Sequence, residues 1–224
     1  MILFENVAKK FPSHQIALND INIKFEDGEF VFLVGSSGAG KTTMLRLIIR
    51  EILPSQGSIY VNEWQVNKLK SSQLPYLRRK VGFVFQDFKL LNDRTVTENI
   101  AVSLEILGKS KKETTSRILE VLNVVHLSDR GDYFPGQLSL GEQQRVAIGR
   151  AIAGDCEVLL ADEPTGNLDP KTSWEILKIL NSINKNGTTV LMATHNVDIV
   201  NSMKKRVVRL AEGKIIHDEK KSKY

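Results

Sequence analysis

Apolar and polar positions along this chain alternate between a strand period and a helical period. Residues 2–11 and 21–25 hold β-branched and aromatic side chains between turn signals, and they predict short strands. Asp27-Gly28 predicts a tight turn. Glu29-Phe-Val-Phe-Leu-Val34 then runs apolar without alternation, as a strand buried on both faces does. Within residues 42–52, Leu45, Ile48, Ile49 and Ile52 keep helical spacing, and Pro54 closes that helix. Residues 57–61 and 81–85 predict further strands. From about residue 88 to 155 the strand signal fades, and helices are predicted over 96–107, 111–125 and 141–153. Alternation resumes with a strand at 157–161, a helix at 170–185, a strand at 188–194, a short helix and two terminal strands. The economical architecture is one α/β unit, with a core lobe from residues 1–87 and 156–224 and a helical subdomain at 88–155.

The composition leaves that picture intact. With 224 residues, 42% hydrophobic and 25% charged, the chain can bury one sizeable core or a core plus a smaller lobe. No run approaches the ~18 apolar residues of a membrane span, and Glu5 interrupts an apolar start that has no basic region, unlike a signal peptide. Cys156 is the only cysteine, which fits a reducing cytosol, and its place beside an apolar strand predicts a buried structural thiol. The net charge of +5 gathers in Lys109-Ser-Lys-Lys112, Lys204-Lys-Arg206 and Lys220-Lys-Ser-Lys223. Such runs read either as solvated helix ends and termini or as attraction to an anionic membrane, at ~1 kcal/mol per basic residue held close. Nucleic acid is not an expected partner, because aromatics are 7% and do not interleave with the basic runs.

The candidate chemistry lies in separated motifs. Gly35-Ser-Ser-Gly-Ala-Gly-Lys-Thr42 fits a phosphate-binding loop and sits between a buried strand and a helix, the context that loop needs. Backbone N–H groups of such a loop curl around phosphates at a helix N-terminus. Lys41 is expected to reach the β- and γ-phosphates, and the Thr42 hydroxyl to ligate Mg²⁺. Asp162 and Glu163 end an apolar strand, where ligands of parallel sheets sit. Two adjacent acids there are costly without a positive neighbour, which Mg²⁺ bound to ATP supplies. Asp162 would hold the metal and Glu163 would polarise the attacking water. Leu138-Ser-Leu-Gly-Glu-Gln-Gln144 puts Ser139 at a helix N-cap with Glu142 three residues on, a capping box.

Together with Gln86, which follows the Gly35–Thr42 loop, and His195, which comes last, these motifs in this order resemble the nucleotide-binding subunit of an ATP-binding cassette (ABC) protein, over essentially the whole chain. The resemblance implies a P-loop core with a mixed, largely parallel sheet, an antiparallel β part and the helical subdomain. It implies ATP and Mg²⁺ as cofactors, with phosphates held by Gly35, Ser36, Ser37, Gly38, Ala39, Gly40, Lys41, Thr42 and Thr43. Gln86 would touch Mg²⁺ and the water, His195 the γ-phosphate, and Phe11 the adenine. Asn167-Leu-Asp169 resembles the family's D-loop, and Asp169 is also the expected N-cap before Pro170. In the family the capped helix binds, through Ser139, Gly141 and Glu142, the γ-phosphate of ATP held by the opposite subunit of a head-to-tail homodimer. Leu140 stands where the family's signature has glycine. A positive φ there would cost leucine on the order of 1–2 kcal/mol, a negative φ would cost little and leave the branched side chain crowding the loop, and the expectation is slow hydrolysis that Leu140→Gly would raise.

Ala161-Asp-Glu-Pro-Thr-Gly-Asn-Leu-Asp169 and Gly141-Glu-Gln-Gln-Arg145 look like the mechanotransmission group of this family. Val84-Phe-Gln-Asp-Phe-Lys-Leu-Leu91, Leu77-Arg-Arg79 and Met192-Ala-Thr-His-Asn196 are most similar to its cell-division members. That likeness implies peripheral attachment at the cytoplasmic face of a bacterial membrane, an FtsX-like integral-membrane partner, and control of cell-wall hydrolysis. The partner is expected in a groove near Gln86–Leu91, with Phe88 lining it. The alternative is the energising subunit of a lipoprotein, peptide or drug exporter of the same group. A soluble ABC ATPase acting on nucleic acid or ribosomes typically needs a second cassette or long insertions, and a P-loop kinase lacks the signature motif.

Overall fold

A computed structural model describes residues 1–13 and 15–219, so the basic run at 220–223 lies outside the described residues. The chain opens with β1 (Ile2–Lys10), β2 (Ile16–Phe25), β3 (Phe30–Val34), α1 (Lys41–Ile48), β4 (Gln56–Val61) and β5 (Trp64–Gln65). Then come α2 (Leu74–Lys80), β6 (Val81–Val84), α3 (Val96–Ile106), α4 (Lys111–Val124) and α5 (Leu140–Ile152). It finishes with β7 (Val158–Asp162), α6 (Pro170–Lys185), β8 (Thr189–Thr194), α7 (Val197–Met203), β9 (Arg206–Ala211) and β10 (Lys214–Glu219).

Two sheets result. One is antiparallel in the order β2-β1-β4-β5, and the other runs β10-β9-β3-β8-β7-β6, parallel except for the terminal β10–β9 hairpin. All five residues of β3 are buried, and they alternate between two hydrophobic cores. Val31 and Leu33 face α1 and the antiparallel sheet, while Phe30, Phe32 and Val34 face a second core. That second core takes in Ile100 of α3, Val121 of α4, Val146 of α5 and Leu180 of α6. Fully burying such a side chain stabilises by ~1.5–3 kcal/mol, and this two-sided burial is why the strand carries no polar residue. Cys156 packs in the same interior, and burial pushes its thiol up to about 11, as a structural cysteine requires.

Most predicted elements stand within one or two residues of their expected ends. Three ends differ in ways that tertiary structure explains. β2 starts at Ile16 rather than 21, because Ile16 and Leu18 pair with Lys10 and Lys9 through bulges in β1. β1 ends one residue early, leaving Phe11 in the following turn. α1 stops at Ile48, and Arg50 turns left-handed at φ 50°. The short α2 escapes a sequence reading because Pro75 and three basic residues leave Leu77 as its one buried side chain.

Candidate functional site

Parallel pairing decides where the motifs meet. Val34 lies level with Thr194, Asp162 with Ala193, and Val84 with Ala161, so four strands end at one edge. The Gly35–Thr42 loop, Gln86, Asp162-Glu163 and His195 all leave the sheet there. A cleft of about 510 Å³ at this edge is lined by Phe11, Gln15, Ala17, the loop from Ser36 to Thr43, Gln86, Glu163 and His195. Gln15 and Ala17 were absent from the sequence reading. They arrive with the early start of β2, for which a lone polar residue in a loop gives no signal.

The loop's backbone is fixed by exclusion. A Cβ on Gly35, at φ 150°, would stand 2.3 Å from the Leu210 carbonyl oxygen, and one on Gly40, at φ 109°, would stand 2.6 Å from that of Ala17. Gly40 is the N-cap of α1, with no side-chain cap and no acidic residue in the first turn. The first N–H groups of a helix have no intrahelical partner. This terminus lines the cleft, and its free N–H groups are of the kind that suits an anion.

Lys41 is buried, and its Nζ donates to the carbonyl oxygens of Gly35 and Ser36 at 2.8 and 3.1 Å. Glu163 Oε1 is 3.6 Å away, and Glu163 Oε2 is 2.9 Å from His195 Nδ1. The carboxylate is thus held between an ammonium and an imidazole. Glu163 itself sits in the left-handed region at φ 48°, its N–H donating to the Ala193 carbonyl at 3.0 Å. Strain of this kind costs an L residue ~1–3 kcal/mol and gathers at functional sites.

The Thr42 hydroxyl donates to Asp162 Oδ1 at 2.9 Å. Mg²⁺ typically takes one or two protein ligands alongside substrate phosphates and water, and one hydroxyl beside one carboxylate fits that demand. Burial pushes the Asp162 carboxyl above its usual range. The Thr42 hydrogen bond opposes this and the Glu163 charge adds to it. An unfolded aspartate ionises near pH ~3.9. Above that pH the folded state binds the extra proton, so stability is lost as pH rises through the raised folded value. Asp162→Asn is therefore expected to raise the thermal midpoint of the nucleotide-free protein, by a margin that grows from about pH 4 to pH 8. Calorimetry across that range checks it, and a margin that shrinks with rising pH contradicts it.

Ser139, Gly141, Glu142 and Asp169 do not line the cleft. They form a second cluster. Ser139 caps α5, accepting from the Glu142 N–H, while Glu142 Oε2 accepts from the Ser139 N–H and hydroxyl, both at 2.9 Å. Asp169 caps α6, and a Cβ on Gly141 would stand 2.3 Å from Thr172 Cγ2 of that helix. The Ser139 N–H, its hydroxyl and Arg130 hold the Glu142 carboxyl below its usual range. The Glu142 oxygens are taken up by the cap and by Arg130.

Leu140 is the first residue of α5, outside the left-handed region, with its side chain half exposed. Of the two alternatives at this position the strained one is excluded, because a helical φ suits leucine. Leu140→Gly is accordingly expected to lower stability by up to ~1 kcal/mol, as glycine in a helix does. A higher melting temperature would reveal hidden strain.

An apolar groove of about 680 Å³ lies between the core and the helices. Phe85, Lys89 and Leu91 line it together with Arg79, Ile106 and Arg150. Phe88 is not among its lining residues, which corrects the expectation from sequence.

Comparison with known proteins follows this geometry. Residues 18–166 match the family model for ABC transporter. The whole chain is 50% identical to the cell division ATP-binding protein FtsE of Bacillus subtilis, spanning 98% of that protein. It is 44% identical over 95% of its length to the protein of that name in Escherichia coli, spanning 96% of it. Among solved structures, it matches the ATP-binding cassette MJ0796, a dimer in a post-hydrolysis state bound to ADP and Pi. The TM-score is 0.90 and the identity 35%, over the full length of both chains.

Proposed function

The chain belongs to the ABC transporter family as an ATP-binding, ATP-hydrolysing subunit, and we propose that it dimerises around ATP to drive an FtsX-like membrane partner that controls cell-wall hydrolysis in division. The observation that carries the dimer is the division of the site. The phosphate-binding edge and the capped signature helix end are both built within one chain, yet they line different surfaces. A second copy, head to tail, brings Ser139 and the Gly141 N–H of one chain to the γ-phosphate held by the other. A dimeric relative at 35% identity supports this.

In this reading the Ser36–Thr43 backbone and Lys41 bind the phosphates, and Phe11 stacks on adenine. Thr42, Asp162 and Gln86 would hold Mg²⁺, which would supply positive charge against the developing phosphate charge. Glu163 accepts a hydrogen bond from the attacking water and draws off its proton. His195 holds the Glu163 carboxylate and contacts the γ-phosphate. Water oxygen bonds to the γ-phosphorus as the bond to the β,γ-bridging oxygen breaks, giving ADP and phosphate.

No described helix is long and apolar enough to cross a membrane, and in this reading attachment at the cytoplasmic face runs through the partner. The groove beside Lys89 and Leu91 is the docking place this reading favours, with Leu91 itself exposed. The test is a pull-down from native membranes, with Glu163→Gln as bait in the presence of ATP and Mg²⁺. Recovery of the FtsX-like protein, lost when Leu91→Asp is added, supports the reading. Recovery of an exporter-type permease moves the chain to transport, and an empty bait overturns the membrane partnership.

A further inference from the structure

Two residues after Gln86 the backbone takes two consecutive left-handed residues, Phe88 at φ 59° and Lys89 at φ 51°. Among the described residues this is the only such consecutive pair made without glycine. Left-handed geometry crowds Cβ against the following carbonyl oxygen in an L residue, so the pair persists only where its surroundings hold it.

The holder is Arg150 of α5. Its Nη2 donates to the Phe88 carbonyl at 2.8 Å and its Nη1 to the Lys89 carbonyl at 2.6 Å. One planar guanidinium thus spans both strained peptides, a fixed fork that a lysine ammonium cannot reproduce. Burial works against the charge of this arginine, so the carbonyl contacts are what stabilise it in place. Its own backbone carbonyl accepts from the Ser103 hydroxyl of α3 at 2.9 Å. On the far side of the loop, buried Asn99 clasps Leu91, accepting from its N–H at 2.9 Å and donating to its carbonyl at 3.0 Å. The loop is therefore anchored to the helices at two points while Gln86 projects into the cleft. Arg150, Lys89 and Leu91 also line the apolar groove.

We infer that Arg150 is a positioning residue: by gripping the carbonyls of Phe88 and Lys89 it holds the left-handed turn that presents Gln86 to the ATP cleft. It thereby ties Gln86 to the helix whose other end carries Ser139, and to the wall of the groove. Its kinetic consequence rests on the proposed role of Gln86, whereas the grip itself is read without nucleotide.

The experiment compares Arg150→Ala and Arg150→Lys with the parent, as full chains. Hydrogen exchange of the nucleotide-free proteins should speed up about tenfold or more at residues 86–91, with the N-terminal half of α5 unchanged. ATP turnover at saturation should fall about tenfold, as misplacement of a reacting group does, with the ATP Kd within about twofold. Lys89→Gly, which adopts positive φ without steric cost, should restore most of the rate in the Arg150→Lys background. If Arg150→Ala does not fold, Arg150→Lys decides alone. Unchanged exchange at 86–91 overturns the grip. A loosened loop with undiminished turnover overturns the link to Gln86, as does a rate loss that Lys89→Gly fails to relieve. Gln86→Ala is the control: if it keeps full turnover, the fault lies with the role given to Gln86, and the exchange data still decide the grip.

Discussion

Glu163→Gln is expected to slow ATP hydrolysis by about 10²–10⁴-fold, the usual cost of removing a general base, while ATP still binds. The amide keeps the size of the side chain, so the left-handed backbone at φ 48° and the N–H bond to Ala193 have no reason to move. What disappears is the negative charge between Lys41 and His195. Lys41 then loses a competitor for its ammonium, so phosphate binding is expected to hold or tighten. Binding therefore separates from turnover. Single-turnover kinetics with an equilibrium ATP titration read both quantities. A hydrolysis rate within about tenfold of the parent would move the base elsewhere. His195→Ala removes a group that orients the carboxylate, and it should cost less than the loss of the carboxylate itself.

Gly35→Ala is the second large effect, and it acts through the fold of the loop. The added methyl would meet the Leu210 carbonyl oxygen at 2.3 Å and the Ala39 side chain at 3.0 Å. Leu210 belongs to β9, which pairs with β3 in the parallel sheet, so the obstructing atom is backbone held by the sheet and cannot swing aside. Relief requires parting the loop from β9 or abandoning φ 150°, and either route spoils the curl of N–H groups ahead of α1. Overpacking and backbone strain of this kind cost about 2–4 kcal/mol together. For a chain of 224 residues that is a fall in melting temperature of roughly 5–15 °C. ATP affinity should drop with it by about tenfold or more, since phosphate binding depends on the loop geometry. A variant that melts and binds like the parent would show that β9 yields more readily than its pairing suggests.

The two substitutions sort the site by how it is legible. Glu163 stood out in the sequence because two adjacent acids end an apolar strand in a chain that also carries the Gly35–Thr42 loop pattern. The collision that a side chain at Gly35 would meet was not readable, since Leu210 is 175 positions away along the chain. Gln86 and His195 carried little weight as single residues, and only the register of four parallel strands brings them to the same edge as Lys41 and Asp162. Phe88 was assigned to the groove from its apolar character. The left-handed turn gives that lining to Lys89 and Leu91 instead. Leu140 is the reverse case. A departure from an expected glycine left strain open, and an ordinary helical first turn excludes it.

By itself the sequence determined the α/β alternation, the helical stretch between residues 88 and 155, the phosphate loop and the capping box at Ser139. Each of these is a local matter of periodicity, turn chemistry or hydrogen bonding between near neighbours, so each leaves its mark within a few residues. Tertiary structure alone decided that β2 begins at Ile16, that Ser139 and Asp169 stand apart from the cleft, and that Arg150 grips the loop after Gln86. These depend on pairing and contact between segments distant along the chain, whose free energy comes from the packed whole and leaves no periodic trace in either segment.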